Sequence, residues 1–352
     1  MSHLTYLEAA VVGLIQGVSE LFPVSSLGHN VLLPALVGGK WAQDLNVASP
    51  ESPYLAFVVG LHVATAIALI IYFWRDWIRI IAGFFTSLVQ FAVPAPGTGR
   101  FQLRNADQKL AWMIILATIP VGLVGLAFEH QFRVIFGKPI YAAVFLALNG
   151  VILLAGERFR PRRSVQADQA ILAQEDQAIL AQEDRAAERE LAGVGGRQAA
   201  GRHSSGHQAV RRQEIAEAVQ ADRRITGVGY LQGVIIGSSQ ILALLAGISR
   251  DGMGMVTGMF RGLSRQDAAR FSFLLSAPVI LAAGMLKVPD LFGPLGKGIH
   301  GPILLGSILS GIGAYLSVRF LVRYLRTRTL TPFGIYCLIV GLGSFVYLGL
   351  IR

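Results

Sequence analysis

Six apolar stretches, each near twenty residues long, set the terms on which this 352-residue chain can fold. They run from Tyr54 to Trp74, Leu110 to Phe128, Tyr141 to Gly156, Phe271 to Leu286, Pro302 to Val322 and Pro332 to Leu350. About 20 apolar residues in a helix span the roughly 30 Å of hydrocarbon in a bilayer. Within that layer the backbone must satisfy its own hydrogen bonds, so each stretch is expected to be a membrane-spanning helix. A content of 53% hydrophobic and 15% charged residues points the same way. The N-terminal apolar run lacks a basic flank and a small-residue cleavage site and continues into a polar motif, so no signal peptide is expected there. The single cysteine, Cys337, excludes an intramolecular disulfide and a cysteine metal cluster.

The formal charge of +10 raises the question of nucleic acid. The basic residues are spread over short loops between spans, which argues against that partner. Arg75, Arg79, Arg104, the Arg158 to Arg163 cluster, Arg265, Arg270, Arg319, Arg323 and Arg326 all fall on one side under two conditions. Ile78 to Val93 must lie along the membrane surface, and two further segments must enter and leave by the same face. The positive-inside rule makes that side cytoplasmic. Residues 7–38 and 227–260 are then re-entrant helical hairpins, the first starting outside and the second inside. Their tips are expected to be buried at a site, because irregular backbone at membrane depth needs protein or a water-filled cavity around it.

A short internal repeat supports this arrangement. Gly13-Leu-Ile-Gln-Gly17-Val-Ser19-Glu20 aligns without gaps to Gly233-Val-Ile-Ile-Gly237-Ser-Ser239-Gln240. With three spans between the copies, they run in opposite directions through the membrane, and such inverted-topology repeats bind near the midplane. The expected fold is thus an all-α polytopic membrane protein with about six transmembrane helices and two re-entrant hairpins. A first repeat covers 1–160 and a second 225–352. Between them, 161–224 is rich in Gln, Ala, Glu, Arg and Gly, with Gln-Ala-Ile-Leu-Ala-Gln-Glu-Asp at 169–176 copied at 177–184. It reads as a low-complexity cytoplasmic insertion, helical at first and flexible from Gly193 to Gly206.

Two polar loops interrupt this apolar background. The first reads Gly17-Val-Ser19-Glu20-Leu-Phe-Pro23-Val-Ser25-Ser26-Leu-Gly28-His29. Gln16 and Glu20, four residues apart, share a helix face and can converge on one cation or water. Pro23 breaks the helix, and Ser25, Ser26 and Gly28 supply hydroxyls and amides at the break. A carboxylate in an apolar segment is costly, so Glu20 is read as functional in preference to an interfacial residue. His29 is either a hydrogen-bonded core histidine or a nucleophile or proton-transfer group. The second loop reads Ala246-Gly247-Ile248-Ser249-Arg250-Asp251-Gly252. Arg250 offers a planar fork of donors suited to phosphate, beside glycines that let backbone amides approach an anion. The other reading is a structural ion pair of Arg250 with Asp251 or Glu20.

At these residues the chain resembles the bacitracin-resistance type of undecaprenyl-diphosphate phosphatases, bacterial membrane enzymes that recycle a cell-wall lipid carrier. The resemblance runs from Gly13 to His29, through Gly247, Ser249, Arg250 and Gly252, and along Ala268, Phe271-Ser272-Phe273-Leu274-Leu275 and Pro278. It covers nearly the whole chain outside 161–224. It implies hydrolysis of the terminal phosphate of a polyprenyl diphosphate in a bacterial inner membrane, aided by a divalent cation such as Mg2+ or Ca2+, with the site facing outward. A homodimer is compatible with it. Glu20 would hold the metal or act as acid/base, with Gln16 at the family's other, frequently acidic, position. Ser26 and His29 are the candidate nucleophile and general acid/base. Arg250 would clamp the diphosphate, and Ser25, Gly28, Gly247, Ser249 and Gly252 would complete the binding cradle.

The chain departs from the family pattern at Gln16, at Ala246 and at Asp251, where the motif has serine. Asp251 either neutralises Arg250 or replaces the missing carboxylate as a metal ligand. Two other functions stay open at this point. One is a polyprenyl-phosphate flippase, since inverted repeats are also transporter architecture. The other is a weakened paralogue that binds the lipid diphosphate and turns over slowly.

Overall fold

The computed structural model describes residues 4–45, 53–93, 103–136, 138–191, 202–293 and 298–351. All regular structure among them is helical. The first hairpin is α1 (Tyr6–Leu21) and α2 (Ser26–Val37), followed by the short α3 (Gly39–Asp44). Then come α4 (Pro53–Tyr72), α5 (Trp74–Ala92), α6 (Ala106–Phe136) and α7 (Pro139–Arg158). The intervening segment holds α8 (Arg162–Leu191) and α9 (Arg202–Gly227). The second hairpin is α10 (Tyr230–Ser239), a 3-10 turn at Gln240–Leu244 and α11 (Arg250–Phe260). The chain ends with α12 (Arg265–Phe292), α13 (His300–Thr327) and α14 (Thr331–Val346).

Five helices are long and apolar enough to cross a membrane, within α6, α7, α12, α13 and from Thr331 to Leu350. The sixth expected span is α4, which turns through 84° at Phe73 into α5. That near right angle suits α5 to the surface position expected of Ile78 to Val93. Its Ile78, Ile81, Phe85 and Val89 are exposed, while Ile80, Gly83 and Ser87 are buried. The hairpin helices, at 16 and 12 residues for α1 and α2, are too short to cross and return instead at Pro23. Thr5 starts α1 with a capping box, its hydroxyl accepting from the Glu8 amide while Glu8 accepts from the Thr5 amide. At the other end Phe22 packs against Phe320 and Phe333 and anchors the hairpin tip.

The helix pairings repeat in a way that matches the duplicated sequence. α1 packs on α13 as α10 packs on α6, and α4 packs on α13 as α12 packs on α6, while α4 pairs with α12 and α7 with α14. Exchanging the two halves maps α1 on α13 onto α10 on α6 and α4 on α13 onto α12 on α6, while the last two pairings map onto themselves. The glycines of the repeat make the first of these pairings. A Cβ on Gly17 would strike the Ser310 carbonyl, and one on Gly237 would strike the Ala117 carbonyl. Small residues four apart let two helix backbones touch without hydrophobic pressure from water, which is why Gly13/Gly17 and Gly233/Gly237 recur at this spacing.

At one end of the bundle the feet of α8 and α9 are locked in by charge. Arg270 binds Asp222 at 2.9 Å and Asp76 at 3.1 Å, and Arg79 binds Asp107 at 2.9 Å and Asp222 at 3.0 Å. Burial alone would raise the Asp76 carboxyl, but Arg270 and Arg79 offset it and hold it below its ordinary value. Asp168 of α8 binds Arg265 at 2.8 Å and Arg160 at 2.9 Å. Ser164, Asp222 and Ile225 are fully buried, so the two ends of the stretch 161–224 belong to the packed body. Of the stretch expected to be flexible, 193–201 lies outside the described residues, and Arg202 to Gly206 begins α9.

Candidate functional site

A cavity of about 810 Å³ opens where the two hairpin tips meet α4, α6 and α12. Its polar end is made by Glu20, Ser25, Ser26, His62, Ser249 and Arg250, with Gln240 alongside. The rest is aliphatic apart from Thr118, whose hydroxyl donates to the Ile115 carbonyl, and includes Val58, Val121, Leu126, Ile280 and Ala283. Glu20 ends α1 and points at the start of α2. One carboxylate oxygen, Oε2, accepts from the Ser26 hydroxyl and from Gln16 Nε2 at 2.8 Å, and lies 3.3 Å from His62 Nε2. Its other oxygen, Oε1, accepts from Arg250 Nη2 at 3.1 Å. The ion pair weighed from sequence is therefore present between Arg250 and Glu20. Arg250 Nη1 is buried with no partner among the described residues, so one edge of the guanidinium stays available to a phosphate oxygen.

The two loops are fastened to each other and to α7. Ser25, the only described non-glycine residue at positive φ (66°), caps α2, and its hydroxyl accepts from the Gly28 and Gly247 amides, both at 3.2 Å. A Cβ on Gly28 would come within 2.8 Å of Gly247 Cα, so the two backbones meet only because Gly28 has no side chain. Gly247 itself has φ 114°, a conformation that favours glycine. Asn149 of α7 donates to the Pro23 carbonyl at 2.9 Å and accepts from the Ser249 amide at 3.0 Å. Ser249 caps α11 by accepting from the Gly252 amide at 3.1 Å. The amides of Gly28, Gly247 and Gly252 are thus occupied by serine hydroxyls. They hold the loops in register, and the donors left facing the cavity are side chains.

Three expected site residues point elsewhere. His29 is off the cavity wall; its Nδ1 lies 2.7 Å from the Ser25 carbonyl, and its Nε2 lies 2.8 Å from the Tyr336 hydroxyl, with the two rings stacked at 6°. Gln16 is fully buried behind Glu20, and its Oε1 accepts from Asn30 at 2.6 Å. Asp251 is buried and turned to α12, where its carboxylate accepts from Ser272 at 2.8 Å and Ser276 at 2.7 Å. Arg250 is therefore not neutralised by direct pairing with Asp251. This donor set does not fit a cation held by the protein alone: Glu20 is the one carboxylate on the cavity wall and its oxygens already carry donors. Among the described residues, no three His, Cys, Asp or Glu side chains are grouped for metal binding.

Two residues of the site escaped the sequence reading, His62 and Asn149. Each is a polar side chain inside a span read only as apolar, Tyr54 to Trp74 and Tyr141 to Gly156. That is itself the signal that could have found them, since polar groups at membrane depth need a partner or a task.

The family model described as bacitracin resistance protein BacA matches residues 9–180 and 207–343. The chain is 52% identical over 349 residues, 99% of both chains, to a protein of Mycolicibacterium paratuberculosis named undecaprenyl-diphosphatase. It has the same identity and coverage with one of that name from Mycobacterium avium. An undecaprenyl-diphosphatase 2 of Frankia alni is 50% identical over 97% of both chains.

Proposed function

Because this chain belongs to the bacitracin resistance protein BacA family, we propose that it hydrolyses undecaprenyl diphosphate to the monophosphate and inorganic phosphate. The observation that carries the reading is the Ser26 hydroxyl donating to the Glu20 carboxylate at the polar end of a cavity that is otherwise mostly aliphatic. A hydroxyl bound to a base is an activated nucleophile. The prenyl tail stays among aliphatic side chains and lipid, while the diphosphate meets Arg250 and the Gln240 amide, whose Nε2 and Oε1 are buried without a partner among the described residues. Ser26 Oγ attacks the terminal phosphorus and its proton passes to Glu20. The bridging P–O bond breaks, its electron pair leaving on the prenyl monophosphate. Water then attacks the phosphoserine, the Ser26 Oγ–phosphorus bond breaks, Glu20 returns its proton to Ser26 Oγ, and both water protons leave with the released phosphate. Arg250 stabilises the charge that builds on the phosphoryl oxygens.

The divalent cation enters this proposal as a companion of the substrate's own diphosphate, and the chain's residues carry the steps above. The outward-facing orientation is likewise proposed, on the one-sided distribution of arginines. Phosphate release from undecaprenyl diphosphate by purified protein in detergent tests the function. Ser26→Ala, Glu20→Gln and Arg250→Ala should each lower kcat/KM on the order of 100-fold or more. Near-wild-type turnover in any two of them sinks the assignment. A flippase would release no phosphate under these conditions.

A further inference from the structure

We propose that His62 is a positioning residue that holds Glu20 in place as the base for Ser26. The inference rests on the hydrolase reading above and extends it to a residue of α4 that touches neither hairpin in sequence.

His62 lies on the cavity wall with its Nε2 3.3 Å from Glu20 Oε2, the same oxygen that accepts the Ser26 hydroxyl. Its Nδ1 lies 2.7 Å from the Val58 carbonyl, one turn earlier on α4. A carbonyl oxygen can only accept, so Nδ1 carries a proton and the ring plane is fixed by its own helix. The opposite nitrogen then faces a carboxylate oxygen, a contact that is attractive only with a proton between them. The ring is thereby a stay between a span and the carboxylate end of the Glu20 side chain. α4 is held in turn by α12 and α13, so the stay has a firm footing.

The arrangement has the logic of a nucleophile, a base and a third group that orients the base, with the carboxylate in the middle. Gln16 and Arg250 cannot do this alone. Gln16 approaches Oε2 from behind, on the same helix as Glu20, and Arg250 holds the other oxygen and has the phosphate to bind. Without His62 the carboxylate can swing about its side-chain torsions toward Arg250, away from the Ser26 hydroxyl. A shift of about 1 Å in a reacting pair costs on the order of 100-fold in rate.

The test compares His62→Leu and His62→Gln in phosphate release from undecaprenyl diphosphate, with KM and kcat measured separately. His62→Leu is expected to lose on the order of 100-fold in kcat with KM little changed. His62→Gln, whose amide can still donate to Glu20, should recover most of that loss. If His62→Leu does not survive purification, His62→Asn replaces it, since its shorter amide stops short of Glu20. Wild-type kcat in the non-donating variant overturns the proposal, and so does His62→Gln no better than that variant. A raised KM with unchanged kcat also overturns it, assigning His62 to substrate binding. No phosphate release by the unsubstituted protein would instead overturn the hydrolase reading, and this inference with it.

Discussion

The Ser25 hydroxyl accepts the amide of Gly247 at 3.2 Å, across 222 residues of sequence, and thereby joins the tips of the two hairpins. The same oxygen takes the Gly28 amide. Ser25→Ala strands two buried amides, each costing about 1–3 kcal/mol. The expected result is a lower Tm in detergent together with reduced phosphate release. An unchanged Tm would mean that the hairpins are held by packing alone.

Asn149 bridges both loops from α7, so Asn149→Leu keeps the volume and removes the bridge. The Ser249 amide loses its partner and Pro23 O keeps only the Cys337 thiol at 3.9 Å, and the Arg250 loop should drift relative to Glu20. A loss of about 1–3 kcal/mol in transition-state stabilisation corresponds to a fall of roughly 5- to 150-fold in kcat/KM. Steady-state kinetics with intact helical content in circular dichroism would check it.

His29 supports the Ser25 carbonyl and Tyr336 and is absent from the cavity wall. His29→Ala should therefore lose activity and thermal stability together. Ser26→Ala should lose activity alone. Equal stability in both variants, with activity gone from both, would return His29 to the reacting groups.

Because Asp251 faces Ser272 and Ser276, Asp251→Ser should leave kcat within about threefold of the wild type and leave the response to chelator unchanged. Its signature belongs in stability, as the serine hydroxyls lose a common acceptor. A large gain in activity, or a lost response to divalent cations, would restore one of the two roles read from sequence.

The charged layer makes a separate prediction. Arg270→Leu leaves the buried Asp76 and Asp222 with Arg79 as their one remaining shared partner among the described residues, and removing one partner of such a buried network costs up to about 3–5 kcal/mol. Thermal unfolding should show it even though Arg270 is remote from the cavity wall. Asp76 sharpens the sign with pH: its folded carboxyl is held below its ordinary value, so its contribution is full near neutral pH and fades as pH falls through the acidic range.

Much of this was legible from periodicity and cost. Spans show themselves by length, and Glu20, Ser26 and Arg250 stand out because polar groups in hydrocarbon need a reason. The glycine spacing at 13, 17, 233 and 237 gave the repeat, and the structure adds the carbonyls against which those glycines rest. Direction was not legible. Sequence brings His29 near Ser26, but one helical turn sends the imidazole to Tyr336 while the hydroxyl meets Glu20. Asp251 follows Arg250 directly, and for that reason points another way on α11. His62 comes to Glu20 only through the packing of α4, a pairing that no local spacing encodes.

The far wall of the cavity carries a last implication. On α6, Gly122 and Gly125 have nothing within 4 Å of where a side chain would begin, and beyond them the lining is aliphatic. A site whose recognition groups crowd one end and whose other side is bare can inspect only the head of its ligand. Isoprene units further along are then not counted, and what restricts such a protein to one lipid is the company it keeps in the bilayer.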